Sequence, residues 1–82
     1  MRLSEAELNR LLCESAESAG VEIVADKINR RGGVCRLEGR LMVVFDVGAG
    51  LSQRNRLLIQ ALRLLGPEVY LPPKVRELLD AE

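Results

Sequence analysis

Residues 41–45 form an uninterrupted apolar run, Leu-Met-Val-Val-Phe, and no other stretch constrains the fold as strongly. Such a run is typical of a strand in the middle of a sheet, so we predict that it is the central strand. Before it, Cys35 and Leu37 alternate with polar or β-branched neighbours, as in a strand with one solvated face. A short turn at Glu38-Gly39 or Gly39-Arg40 would join the two segments. Residues 34–45 therefore predict a β-hairpin.

The first twenty residues predict an amphipathic helix. Ser4 and Glu7 have the spacing of a capping box, and Gly20 is a typical helix stop. Apolar side chains follow at intervals of three and four, namely Leu8, Leu11, Leu12, Ala16 and Ala19. Residues 21–25, which are rich in β-branched side chains, then predict a first strand.

A second and a third helix follow the hairpin. Ser52 is a good N-cap for a helix that runs through Leu65 and ends at Gly66-Pro67. Residues 69–71 are a possible fourth strand, and two prolines then open a short helix over residues 74–80. We therefore predict a single α+β domain over residues 1–82, with the order α-β-β-β-α-α. Its small, mainly antiparallel three-stranded sheet is covered by two packed helices, and the short C-terminal helix closes the core.

The second helix is apolar over an unusually wide arc. Its hydrophobic residues span roughly 220° at about 100° per residue, whereas a helix on one sheet face needs little more than about 100°. The excess is covered either by the other two helices or by a second copy of the chain. We predict a homodimer, with its interface on the second helix and the nearby sheet surface, and with Leu57, Leu58, Ile59, Leu62 and Leu65 at the contact.

Composition excludes several classes of function. The chain has no histidine, so the usual zinc sites, histidine general bases and serine triads are ruled out. Its two cysteines, Cys13 and Cys35, lack the spacing of a metal knuckle or a CxxC redox pair. No stretch resembles a signal peptide or reaches the ~20 apolar residues of a membrane span. We therefore expect a cytoplasmic protein with reduced thiols, no cofactor and no membrane association.

A basic centre is the strongest candidate for a binding site. Residues 27–40 hold five basic side chains and one acidic, although the net charge of the whole chain is zero. A guanidinium cluster there would bind phosphate or another anion, with the backbone of Gly32-Gly33 close to the ligand. The cluster consists of Arg30, Arg31, Arg36 and Arg40. We favour a structural explanation, in which the glycines turn the chain and the arginines protect exposed strand ends from edge pairing. The balanced charge and the lack of nearby aromatic residues argue against nucleic acid as the partner.

Cys35 is a candidate reactive thiol, because neighbouring arginines would lower its pKa. Strand alternation, however, places it with Leu37 and away from Arg36, where a buried cysteine would act as a small hydrophobe. The loop of residues 46–50 has a GxG pattern before a helix, but Gln53 occupies the third glycine position of a dinucleotide fingerprint. That loop therefore predicts a flexible helix cap rather than a nucleotide site.

Two resemblances can be stated. GGVCRLEGR, the Val-Val-Phe-Asp strand end and LPPKVRELL together resemble a set of short bacterial proteins with a GGxC…LPPxVRExL-like pattern, over most of the chain from Val21 onward. That resemblance implies no known function. The element order and QRNRLLIQALRLL are also similar to compact zincin-type metallopeptidase domains. Aligning Arg54 and Arg56 with their flanking arginines puts the HExxH motif on residues 61–65, where both histidines and the glutamate are absent. The second resemblance thus implies a fold without the catalytic site.

The sequence as a whole favours a small non-enzymatic interaction or assembly protein that forms a homodimer or binds another protein. Anion or nucleic-acid binding through the basic residues 27–40 is the alternative. A thiol-based redox protein using Cys35 is the third hypothesis.

Overall fold

The computed structural model describes residues 3–29, 32–66 and 68–80, and it has the predicted α+β architecture. The elements follow in the order α-β-β-β-α-α, as the sequence predicts. They are α1 (Glu5–Ser18), β1 (Glu22–Asp26), β2 (Gly33–Leu37), β3 (Arg40–Asp46), α2 (Leu51–Arg63) and α3 (Pro73–Asp80). Residues 69–71, the possible fourth strand, form no strand.

The three strands form one sheet in the order β1-β3-β2, which confirms that residues 41–45 lie in the central strand. β3 is antiparallel to β2 but parallel to β1, with Glu22 opposite Met42 and Asp26 opposite Asp46. The sheet is therefore mixed. The expected mainly antiparallel pairing holds for the hairpin, whereas β1 joins the far edge of β3 in parallel. The connection from β1 to β2 consequently crosses the carboxyl end of β3.

The hairpin between β2 and β3 closes over two residues. Leu37 pairs with Arg40, and the residues between them, Glu38 and Gly39, have φ angles of 53° and 81°. Two consecutive positive φ angles define the type I′ turn, whose twist matches that of the flanking strands. Of the two turn positions that the sequence allowed, Glu38-Gly39 is the one used.

The helix ends show one confirmed prediction and one correction. The capping box of α1 is present, with Glu7 N donating to Ser4 Oγ over 3.1 Å and Ser4 N donating to Glu7 Oε1 over 3.0 Å. α2, however, begins at Leu51 with Gly50 as its N-cap, so the prediction that Ser52 is the cap was wrong. The loop before α2 is stabilised from within the helix instead, because the Arg54 guanidinium donates to the carbonyls of Ala49 (2.9 Å) and Val47 (2.8 Å).

The core lies between one face of the sheet and the two longer helices. The three apolar side chains of β3 on that face pack with apolar residues of α1 and α2, and α3 packs against both helices. The buried apolar residues are Leu12, Ala16, Val21, Leu41, Val43, Phe45, Leu58, Ala61, Leu62, Leu71, Val75 and Leu79. Among the described residues, no helix is long and apolar enough to cross a membrane.

Candidate interaction surface

The sheet has a second face that none of the three helices covers. β3 alternates along its length: Leu41, Val43 and Phe45 are buried against the helices, and Met42 and Val44 are half-buried on the opposite side. Side chains of paired residues lie on the same face of a sheet, so the register assigns the neighbours of Met42 and Val44. We call this surface the open face; its apolar side chains are Val24, Cys35, Leu37, Met42 and Val44.

The open face is apolar and accessible. Leu37 is 57% exposed, and Cys35 is also exposed, whereas Val43 on the other side of the sheet is fully buried. Gly33, opposite Val44, adds an empty position, because a Cβ there would meet nothing within 4 Å. The largest apolar patch on an ordinary monomer is about 300–600 Å² and is often a site of interaction. The open face is thus the feature of the described structure that most resembles a binding surface.

Charged residues lie at the two ends of the open face. The alternation of β3 places Arg40 at one end and Asp46 at the other, and Asp26 of β1 lies beside Asp46 in the register. Glu22 is on the edge strand, level with Met42. The surface therefore has an apolar centre with a basic end and an acidic end.

Asp46 holds the connection between β1 and β2 in place. Its Oδ1 accepts hydrogen bonds from the amides of Ile28 and Asn29, each over 2.9 Å, and its Oδ2 accepts one from Gly48 over 2.8 Å. The amides of Asn29 and Gly48, followed by that of Ile28, lower the pKa of Asp46 below its ordinary value, because they stabilise the ionised carboxylate. The aspartate at the end of the Val-Val-Phe-Asp segment therefore has a structural role, because it binds the backbone of the β1–β2 connection.

Gly32 lies where this connection enters the sheet. A Cβ on Gly32 would overlap the Val44 carbonyl oxygen and would be 2.6 Å from the Cα of Phe45. The chain therefore approaches the backbone of β3 more closely than any side chain allows. From the sequence, this glycine was expected to form a turn or to lie close to a ligand; in the structure it lets the two backbones come together.

The two described arginines of the candidate anion site, Arg36 and Arg40, do not share a face of the sheet. Arg36 pairs with Leu41 and is on the helix side of the sheet, whereas Arg40 pairs with Leu37 and is on the open face. Both are exposed. Arg30 and Arg31 lie outside the described residues. Anion binding through all four side chains stays a prediction, and the two that are described lie on opposite faces.

The structure corrects the expected environment of Cys35. The prediction that Cys35 shares a face with Leu37, away from Arg36, is confirmed, but that face is the open one and the thiol is exposed rather than buried. Cys13 is half-buried in α1, and its thiol donates to Asn9 Oδ1 over 3.7 Å. Burial, together with the nearby Glu17, raises the pKa of Cys13. Cys35 is consequently the more accessible of the two thiols.

The predicted interface residues of α2 have different environments. Leu58 and Leu62 are 0% and 1% exposed and belong to the core of the single chain, so they are unavailable for a contact between subunits. Leu57, Ile59 and Leu65 are half-buried against that core. Packing within the single chain thus explains a large part of the wide apolar arc of α2, as the first of the two explanations predicted. Leu64, 52% exposed, is the large hydrophobic residue of this segment that remains most accessible.

Asn55 is a buried residue that the sequence analysis missed. It is 3% exposed and lies on the same stripe of α2 as Leu58 and Leu62. Its Nδ2 donates to the backbone oxygen (3.1 Å) and to Oε1 (2.9 Å) of Glu5, and its Oδ1 accepts from Asn9 Nδ2 over 2.9 Å. An asparagine inside an apolar stripe was the available signal. These bonds connect α1 to α2 beside a cleft of about 350 Å³.

The loop of residues 46–50 is held by several side-chain contacts. Besides the two bonds from Arg54 to its carbonyls, the Arg54 guanidinium carbon lies 4.7 Å from the centre of the Phe45 ring, a cation–π contact. Ala61 and Leu62, the first two positions that the zincin-like alignment assigned to HExxH, are in the core. The loop and the helix are therefore part of the scaffold that holds β3.

No metal-binding group emerges from the described part of the chain: nowhere in it do three or more cysteine, aspartate or glutamate side chains come together in a suitable cluster. Comparisons of the whole chain with known protein families, with curated proteins and with solved structures find no match.

Proposed function

We propose that the protein is a non-enzymatic interaction module that associates with a second copy of itself through the open face. The observation that carries this proposal is the uncovered apolar side of the sheet. On the opposite side of the sheet the central strand is buried by the helices, and an apolar sheet face is stable when another element covers it. A second open face supplies an equivalent apolar cover.

The dimensions of the open face indicate a weak dimer. Three strands about 4.8 Å apart and about 20 Å long offer roughly 300 Å² in projection. Stable interfaces bury about 800 Å² per partner, and smaller ones belong to transient complexes. We therefore expect monomer and dimer to exchange, with a dissociation constant on the order of micromolar or weaker.

Light scattering over a concentration series tests the proposal, with a matched pair of variants. Leu37 and Leu64 are exposed to similar extents, 57% and 52%, but only Leu37 is on the open face. The mass should rise from 9.1 kDa toward twice that value with concentration. Leu37→Lys should keep the protein monomeric, because it places a charge in the apolar contact, whereas Leu64→Lys should leave the association unchanged.

The alkylation rate of the Cys35 thiol is an independent test of self-association. Because Cys35 is on the open face, its alkylation should slow as the protein concentration rises, while Leu37→Lys should react at the same rate at every concentration. If Leu64→Lys dissociates the dimer and Leu37→Lys does not, the contact lies at α2 instead of at the open face. A wild-type protein that stays monomeric at all concentrations would refute self-association.

A further inference from the structure

We infer that the two copies meet with their β3 strands antiparallel across the interface, so that Arg40 of each lies against Asp26 and Asp46 of the other. This arrangement rests on the proposed self-association through the open face and specifies how that contact is made. It follows from the positions of charged and small residues along β3.

The charges discriminate between the two ways in which two such faces can stack. Arg40 and Asp46 are six residues apart, so the basic and acidic ends are separated by about 20 Å along β3. A two-fold axis parallel to the strands would put Arg40 on the partner's Arg40 and Asp46 on the partner's Asp46. An axis perpendicular to the strands, in the plane of the interface, brings opposite ends together. Like charges facing each other oppose association, whereas opposite charges favour it.

The acidic end is well suited to accept a guanidinium group. Asp26 and Asp46 are partners in the register of β1 and β3, so they lie side by side on neighbouring strands, and strands in a sheet are about 4.8 Å apart. The pKa of Asp46 is lowered by the three amides that it binds, which keeps this carboxylate ionised at neutral pH. A single arginine placed over this pair reaches two negative charges.

The apolar centre also fits the antiparallel arrangement. It superposes the row of Met42 and Cys35 on the partner's row of Val44 and Gly33. The thiol of Cys35 then points at Gly33 of the other copy, where a Cβ would meet nothing within 4 Å and the space is free. Glu22, in the row of Met42, is exposed in the single chain and would lie over the partner's Val24 at the rim of the contact.

A charge exchange tests the arrangement. Arg40→Asp and Asp26→Arg should each raise the dissociation constant about ten-fold or more, because each variant sets like charges against each other. The double variant restores an attraction between residues 26 and 40 while Asp46 stays acidic, so it should bind more tightly than Arg40→Asp and more tightly than the sum of the two single effects predicts. Arg36→Asp is the matched control, since Arg36 is exposed near the same end of the sheet but on its other side, and it should have no effect.

Failure of the arrangement is distinguishable from failure of self-association. If the wild-type protein dimerises but the double variant is no tighter than Arg40→Asp, the antiparallel arrangement is overturned and the open face remains the contact. If Arg36→Asp weakens the dimer as much as Arg40→Asp, the effect of charge is not specific to the open face and the arrangement is overturned as well. A monomeric wild type refutes both. Urea unfolding of each variant shows whether a charge reversal prevents folding. In that case, the dissociation constants of the neutral variants Arg40→Gln and Asp26→Asn are compared with that of the wild type instead.

Discussion

Replacing Gly32 by alanine tests how closely the chain approaches β3. A methyl group at this position would be 2.6 Å from the Cα of Phe45 and from the carbonyl carbon of Val44, and it would overlap the Val44 oxygen. Carbon atoms in contact are about 3.5–4.0 Å apart. The chain and β3 would therefore have to separate by about 1 Å, and the neighbouring pairing of Gly33 with Val44 would be lost or distorted.

The expected cost is large for a protein of this size. Inserting a methyl group where the surroundings cannot yield costs about 1–3 kcal/mol, and we expect the upper half of that range because the opposing atoms are backbone. A domain of this length has only about 3–5 kcal/mol in total. Gly33→Ala is the matched control: its methyl group meets nothing within 4 Å, and the lower entropy of the unfolded chain should make it neutral or stabilising by up to about 1 kcal/mol.

Urea unfolding followed by circular dichroism measures both variants against the wild type, at a concentration low enough to keep the protein monomeric. With a slope on the order of 1 kcal/mol per molar urea, Gly32→Ala should lower the midpoint by about 2–3 M, and Gly33→Ala should leave it within about 1 M of the wild type. Equal midpoints for the two alanine variants would show that residue 32 does not approach β3 as described.

Two further predictions concern polar residues that fix the scaffold. Asp46→Asn should destabilise the protein at neutral pH and make its free energy of unfolding less dependent on pH in acid. The pKa of Asp46 is lowered in the folded state. The carboxylate therefore stabilises the fold above the unfolded pKa, and this stabilisation is lost as the pH falls through the folded pKa. Unfolding midpoints of both proteins between pH 7 and about 2 measure this, and curves that remain parallel would contradict it. Asn55→Ala should cost about 1–3 kcal/mol, because it leaves the Asn9 amide without its acceptor beside a buried helix contact. Thermal unfolding should show a fall of about 4–8 °C per kcal/mol, and an equal fall in the exposed variant Gln60→Ala would count against a specific role for Asn55.

Local patterns predicted the elements but not how the sheet is assembled. The capping box at Ser4 and the two-residue turn at Gly39 are set by neighbours within a few residues, and both were predictable. The parallel pairing of β1 with β3 was not, because it depends on where the chain crosses after Asp26. That crossing is fixed by the Asp46 carboxylate, which binds amides 17 and 18 residues away.

The candidate surface was harder to predict than the fold. The sequence shows that Cys35 and Leu37 share a face, but not which face the helices cover, so Cys35 was expected in the core. The wide apolar arc of α2 drew attention to its leucines, of which Leu58 and Leu62 are used inside the single chain. A continuous apolar strand looks the same whether its second face is covered by the same chain or by another molecule.

The central position of β3 has a consequence for how the chain acquires its structure. Both pairings of the sheet include β3, and β1 and β2 are not neighbours. A nascent chain that has been synthesised only as far as Leu37 therefore contains two strands and no native ladder. Once β3 emerges, the two-residue turn allows its pairing with β2 to close within microseconds. Pairing of β3 with β1 joins residues 20 positions apart, so a larger loop has to close before it can form. We therefore expect assembly of the sheet to begin at the last strand to be made and to proceed back toward the first.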